Sequence, residues 1–336
     1  MKFNKYIKFV DTSLETVQSS RLKLYSCKYS KHVYTQHQLL VLVLLKEYVG
    51  TDYRDFVEII DLMSDIKEKL ALDKIPHFTT LQKFVTRIPS SLFNRLLSRI
   101  LKLFYSYGEN VSVAAIDATG FTSSYASYYY SRRTGKLRRS FLKTSISVDT
   151  SKKVILGWKI SQKTDHEIKH ANALIRQSDK MRKSDCYVMD KGYDSEKIHV
   201  IIREEIKADS IIPLRKRKRE KIGGKYRQQL NLVFDNIKYN QRNIAETIFS
   251  AVKRKLGETL RARKFRNQVK EIKIKLIAYN INKKIIEIIC IKLRISTKPD
   301  FHHQKLNRNG WIAESYCQMT NKDLVRTELQ ERIILS

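Results

Sequence analysis

"VSVAAID", Val111 to Asp117, is the stretch on which the reading of the fold turns. It is a short apolar run ending on a carboxylate, and the texture of the chain changes at it. Two β-rich runs follow, "LKTSISVDT" and "KVILGWKISQ", separated by the turn-like "TSKK". "HANALIRQSDKM" then reads as helix, and "CYVMD" as a strand ending on a second aspartate, Asp190. "SEKIHVIIREEI" reads as helix again, and "ADSIIPL" as a strand up to Pro213. Three consecutive strands followed by alternating helix and strand predict an α/β fold, a mixed sheet with helices packed on it.

Two of the strands end on aspartates. In open sheets with crossover helices, active sites gather at the carboxyl ends of strands. A carboxylate directly after a buried strand is held rigidly by the pairing behind it. Side by side, Asp117 and Asp190 would offer hard oxygen ligands to a divalent cation. The competing reading is that each caps the turn after it. Asp194, with Ser195 just ahead of a helix, reads as a helix cap.

A third carboxylate stands in "YNQRNIAETIFSAVK", Tyr239 to Lys253, where Glu246 is the one acid. If this stretch is mostly helical, seven residues advance about 700°, so Tyr239, Glu246 and Lys253 share a face and Arg242 lies one turn before Glu246. Ile244, Ile248 and Ala251 fall on the other side, suited to packing. Taken alone, Arg242 and Glu246 are an ordinary helical ion pair, worth a few tenths of a kcal/mol. Taken with Asp117 and Asp190, Glu246 completes a set of three carboxylates. Two-metal phosphoryl transfer uses such a set to hold cations roughly 3.5–4 Å apart.

Charge supplies the substrate class. The 336 residues carry 66 Lys and Arg against 34 Asp and Glu, a formal +32. Residues 1–110 hold +6 of it and 296–336 hold +1, which leaves +25 for 111–295. Such an excess points to a polyanion, most simply nucleic acid. The densest run is "RKRKREKIGGKYR", Arg215 to Arg227, with eight basic residues and one acid around Gly223–Gly224. It reads as a loop in which Arg215, Lys216, Arg217 and Lys218 track a phosphate backbone, or else as a solvated loop. "SSYASYYYSRR" interleaves tyrosines with Arg132 and Arg133, either to stack on unpaired bases or as an aromatic hairpin surface. "TDHEIKH" spaces His166 and His170 as metal ligands would be on a helix. With no convincing third ligand it reads as a helix start.

Ahead of Val111 the chain reads as helical over 35–105. Thr35 caps the apolar run "LLVLVLLKEYV", "DYRDFVEIIDLM" has amphipathic spacing, "TTLQKFVTRI" starts from a threonine cap, and "LFNRLLSRILKLF" follows. These short helices fit either a helix-turn-helix DNA reader or a plain bundle packed on the next domain. "LLVLVLL" is far shorter than the ~20 residues of a membrane span, and no secretory signal is evident, so a cytoplasmic chain is expected. Cys27, Cys186, Cys290 and Cys317 show no CxxC spacing and read as thiols of a reducing compartment.

Together these residues resemble the insertion-sequence transposases of the DDE superfamily, which have an RNase H-like core. The likeness is to the branch marked Y-(2)-R-(3)-E-(6)-K, matched here by Tyr239, Arg242, Glu246 and Lys253. "AIDATGF" around Asp117 and "MDKGYDS" around Asp190 look like that branch's two aspartate segments, and the resemblance covers roughly residues 35–295. It implies that Asp117, Asp190 and Glu246 bind two Mg²⁺ ions, with Mn²⁺ as an alternative. It also implies that Tyr239, Arg242 and Lys253 contact transposon-end DNA near the cleaved phosphate. The expected activity is hydrolysis at the element's inverted repeats, then attack of the freed 3′-OH on target DNA, by a homodimer on DNA. The rivals are a structure-selective metal nuclease and a DNA-binding protein that has lost catalysis.

The expected division is a helical DNA-recognition region at 1–110, a catalytic domain at 111–295 and a tail at 296–336 dispensable for cleavage. Within the catalytic domain a basic insertion is expected at 214–238. The 55 residues between Asp190 and Glu246 leave room for a basic loop or a small β insertion there, not a large domain.

Overall fold

Residues 4–123, 133, 135, 141–162, 167–215 and 222–296 are described in this computed structural model. Contacts divide the chain into two units, Met1–Ile291 and Lys292–Ser336. The sheet and its helices lie in the first unit, apart from the last helical residues, up to Ser296.

The sheet grows from the Val111–Asp117 stretch. Strand β1 spans Ala114–Ser123, β2 Phe141–Asp149 and β3 Val154–Ser161. They form an antiparallel meander in the order β3-β2-β1. On the other side of β1, β4 (Cys186–Met189) and β5 (Asp209–Ile211) continue in parallel. A two-residue strand β6 (Thr259–Leu260) joins β1 in parallel at Thr122 and Ser123. This is a mixed α/β sheet of RNase H-like order with flanking helices, preceded by a helical region. The run Thr144–Asp149 is buried at every position, the signature of a strand covered on both faces.

The covering helices lock onto the edge strand β3. Helix α7 (Glu167–Met181) approaches at Gly157, where an added Cβ would meet Leu174 and Gln177 at 3.3 Å. The Gln177 side chain accepts the Trp158 N–H at 3.1 Å. From the long helix α12 (Phe265–Ser296), Asn280 accepts the Ile155 N–H and donates to the Ile155 carbonyl, both at 2.9 Å. The β2–β3 turn is tied by Asp149. It accepts the N–H groups of Ser151 and Lys152 and the Tyr105 hydroxyl at 2.5 Å.

Among the described residues six helices precede the sheet: α1 (Lys5–Gln18), α2 (Gln36–Val49), α3 (Tyr53–Asp61), α4 (Ser64–Lys69), α5 (Phe78–Arg87) and α6 (Ser91–Phe104). Thr35 caps α2 as expected, in a capping box with Gln38. Helix α5 starts ahead of the expected threonine cap, at Phe78, with the His77 side chain as its cap. Helix α2 is buried without a break from Leu39 to Tyr48, so it is a central bundle helix. It packs on helix α11 (Asn243–Leu256), which carries Glu246, and one hydrophobic core runs from Phe9 to Ile285.

Three expectations are corrected here. Strand β1 does not end at Asp117 but continues six residues to Ser123, because β2 pairs with it as far as Thr122. The stretch from Tyr239 to Lys253 is not one helix. Helix α10 (Asn236–Asn240) stops, and α11 begins at Asn243. Between them the N–H groups of Gln241, Arg242, Ile244 and Ala245 each bond three residues back. That tighter winding breaks the 100° phase on which the shared face of Tyr239 and Glu246 depended. The described part of the expected insertion is helical, not β: α9 (Lys225–Leu232) and α10.

Candidate active site

The register of β1 makes a cleft. Strand β4 pairs with β1 at Ala114–Ile116 and β6 pairs at Thr122–Ser123, on the side away from β2. Between them β1 has no strand neighbour on that side among the described residues, and Asp117, Ala118 and Thr119 line the opening. Glu246, Phe249, Ser250, Lys253 and Arg254 from α11 form the opposite wall, with Glu258, around a cavity of about 510 Å³. Asp117 is the residue after Ile116, and Asp190 the residue after Met189, the two partners that end the β1–β4 ladder. Paired strands lie about 4.8 Å apart, so the backbones of the two aspartates leave the ladder side by side; Asp117 lines the cleft, and Asp190 is not among its lining residues.

Helix α11 reaches this position through its apolar face. Ala245, Ile248, Phe249, Val252 and Leu256 are buried, and Glu246 is turned outward. Arg242 donates to Glu246 Oε1 at 2.6 Å. Burial works against the Arg242 charge, but the hydrogen bond and charge of Glu246, followed by Tyr239 and Asp117, outweigh it and raise the guanidinium above its usual range. Arg242 thus lies within electrostatic reach of two of the three carboxylates. Lys253 pairs with Glu258 at 2.9 Å and lies over the Phe121 ring. Tyr239 packs edge-on against Phe234 from the separate helix α10.

Asp190 sits at the head of a short 3₁₀ turn, Lys191–Tyr193, and its Oδ1 accepts the Lys191 N–H at 2.7 Å. It therefore does cap its turn, with one oxygen. Asp194 is not the cap it resembled. Ser195 holds the cap position of helix α8 (Glu196–Val200), and Asp194 is buried in a two-pronged pair with Arg227, at 2.8 and 2.9 Å. Arg215 faces the same turn: its side chain donates to the carbonyls of Lys191 and Gly192. Arg133 is exposed. Arg132, Lys216, Arg217, Lys218 and His166 lie outside the described residues, and His170 is buried on α7.

Glu258 lines the cleft, while Asp194, Glu196 and Arg227 tie the turn after β4 to segment 225–227 outside the cleft's lining, and the sequence reading singled out none of these roles. The second aspartate of "DKGYD" was the only local signal for them. The Cys186 thiol is buried and pushed up to about 12 by that burial, so it serves packing. A larger cavity of about 720 Å³, between α5 and the turn after β6, contains none of the three carboxylates.

A divalent cation fits the donor set. Asp117, Asp190 and Glu246 carry hard oxygen donors, and no His or Cys lines the cleft among the described residues. Among those residues no three such side chains already converge into a cage, and Arg242 is the cation that now engages Glu246.

The sequence profile described as "Transposase DDE domain" matches residues 111–281. Among solved structures, the chain is similar to a piggyBac transposase in a synaptic complex with hairpin DNA. That match has 11% identity and a TM-score of 0.46, and it covers 85% of this chain and 73% of that one. No curated protein matches the sequence.

Proposed function

This chain belongs to the transposase DDE domain family, and on that premise we propose that it is an insertion-sequence transposase that cuts the ends of its element and joins the freed 3′-OH to target DNA. The observation that carries the reading is that Asp117 and Asp190 each follow the last pair of the β1–β4 ladder, Ile116 with Met189, and that Glu246 faces Asp117 across the cleft. Asp117, Asp190 and Glu246 hold the metal. Bound Mg²⁺, or Mn²⁺, supplies activation of the attacking oxygen and stabilisation of the leaving one.

The chain's own residues do the rest. Lys253 and Arg254 on the cleft wall meet the phosphates, with Lys253 exchanging Glu258 for DNA. Arg242 keeps the Glu246 carboxylate oriented, and Tyr239 flanks it from α10. Arg133 and the basic segment that begins at Arg215, with Lys216, Arg217 and Lys218, extend the contact along the backbone. Two copies hold the two element ends, residues 1–110 contribute to DNA recognition, and the tail after 295 is dispensable for cleavage. No described helix is long and apolar enough to cross a membrane, in keeping with a chain that meets DNA in the cytoplasm.

The test is incubation of the purified chain and Mg²⁺ with a plasmid carrying the gene and its native flanks. Nicks at inverted repeats and joined products are expected. Asp117→Asn, Asp190→Asn and Glu246→Gln should each lower both by more than the roughly 100-fold lost with an outer-shell partner. Cleavage without joining would identify a nuclease instead. DNA binding with no cleavage, indifferent to Glu246→Gln, would identify an inert binder.

A further inference from the structure

We propose that Arg227 and Arg215 are positioning residues for Asp190, acting through a clasp that ties both ends of segment 215–227 to the turn after β4. The proposal rests on the reading of Asp190 as a metal-holding acid. Asp190 is the first residue beyond the β4 pairing, so the sheet does not fix it from its far side. The turn Lys191–Tyr193 does, and the clasp acts on that turn.

At one end, Arg215 donates from Nε to the Lys191 carbonyl at 2.9 Å and from Nη2 to the Gly192 carbonyl at 3.3 Å. Its backbone N–H goes to Asp194 Oδ2 at 2.7 Å. At the other end, Arg227 grips both oxygens of Asp194, whose side chain is 1% exposed. Glu196, two residues on, accepts the N–H groups of Tyr226 and Arg227 at 3.0 and 3.1 Å and so closes the first turn of α9. Its carboxylate fills the space that a side chain at Gly224 would need. Gly224, at φ +94°, is also in a conformation that other residues avoid. Tyr226 adds a bond to Glu204 at 2.9 Å.

A buried ion pair that only stabilised α9 would have no reason to converge on one short turn. Here the side-chain hydrogen bonds of Arg215 and the paired contact of Arg227 fall within four residues of Asp190. A metal-holding carboxylate must be held to about half an ångström, and Asp190 has already given one oxygen to Lys191. What remains free to bind depends on where the turn sits.

The experiment measures Mn²⁺ binding to the full chain from loss of the free-ion electron paramagnetic signal. Alongside it, the Mn²⁺ concentration that half-saturates nicking of the flanked plasmid is determined. Arg227→Ala and Asp194→Asn should weaken Mn²⁺ binding about tenfold and raise half-saturation by a similar factor. Arg227→Lys, which restores charge without the two-pronged grip, should fall between. Glu205→Gln, at the surface pair with Arg176, should match the parent chain. If Arg227→Ala does not fold, Arg215→Ala and Arg227→Lys carry the same comparison. Parental Mn²⁺ affinity in the clasp variants, with only a lower melting temperature, would overturn the proposal. Parental affinity in Asp190→Asn would instead overturn the reading of Asp190, a result the clasp variants cannot produce.

Discussion

Arg242 and Glu246 pair across one helical turn, with the glutamate side chain 54% exposed. A pair of this kind contributes only a few tenths of a kcal/mol, so its worth to the fold is small. Arg242→Gln should therefore change unfolding free energy by less than about 1 kcal/mol in urea titration while cleavage falls sharply. Equal losses of stability and activity would sink that separation.

His199 makes the opposite case. It is fully buried, its Nδ1 lies 2.8 Å from the Ser210 hydroxyl, and burial lowers it to about 4. Because the folded value lies below the unfolded one near 6.5, the unfolded chain binds the extra proton between them. Stability should fall as pH drops from 6.5 to 4, by up to about 3 kcal/mol from this group. Melting curves of the parent chain and His199→Gln should diverge over that window and run parallel above pH 7. The three acids could be proposed from the sequence because their signals are local: a carboxylate after a buried run, and a fixed spacing. Asp194 could not. An aspartate before a helix looks like a cap whatever partner the fold supplies, and Arg227 stands 33 residues away with nothing to mark it.

Elements were legible where their pattern is self-contained. The strand and helix order from Val111 to Pro213 follows from apolar runs that terminate in turns. The extension of β1 through "ATGFTS" does not, because small and polar residues there are held as strand only by β2 and β6. The break at Gln241–Arg242 was hidden for a related reason. No Gly or Pro marks it, and the Gln241 side chain is instead drawn to Thr150 at 2.7 Å. At this scale the stitching of α12 to β3 is the sharpest test. Asn280 satisfies both backbone groups of Ile155. Asn280→Leu leaves a buried N–H and carbonyl without that partner, each costing about 1–3 kcal/mol. A loss of roughly 2–5 kcal/mol is expected by chemical denaturation. A loss under about 1 kcal/mol would mean that the edge strand finds other partners.

Over the whole of the first unit, the N-terminal helices and the sheet's helices share one charged knot in the core. Glu47 of α2 meets Lys275 of α12 at 2.5 Å and Lys46 at 3.3 Å, all three side chains under 10% exposed. Burial pushes the Glu47 carboxyl up, but the two lysines outweigh it and hold it below the usual range. Lys275 also donates to the carbonyl of Leu256, the last residue of α11. The knot therefore ties α2 and α12 to the end of the helix that carries Glu246. Lys275→Met should cost about 3–5 kcal/mol, because it breaks a buried pair and leaves Glu47 with Lys46 alone. Adding Glu47→Leu and Lys46→Met should recover most of that, since the three changes together remove the carboxylate and both of its buried partners. Cleavage separates the two roles of the knot. If it only stabilises, the triple variant should cut DNA like the parent chain. If it also fixes the end of α11, stability should return while cleavage does not, and that is the outcome expected from the bond to Leu256.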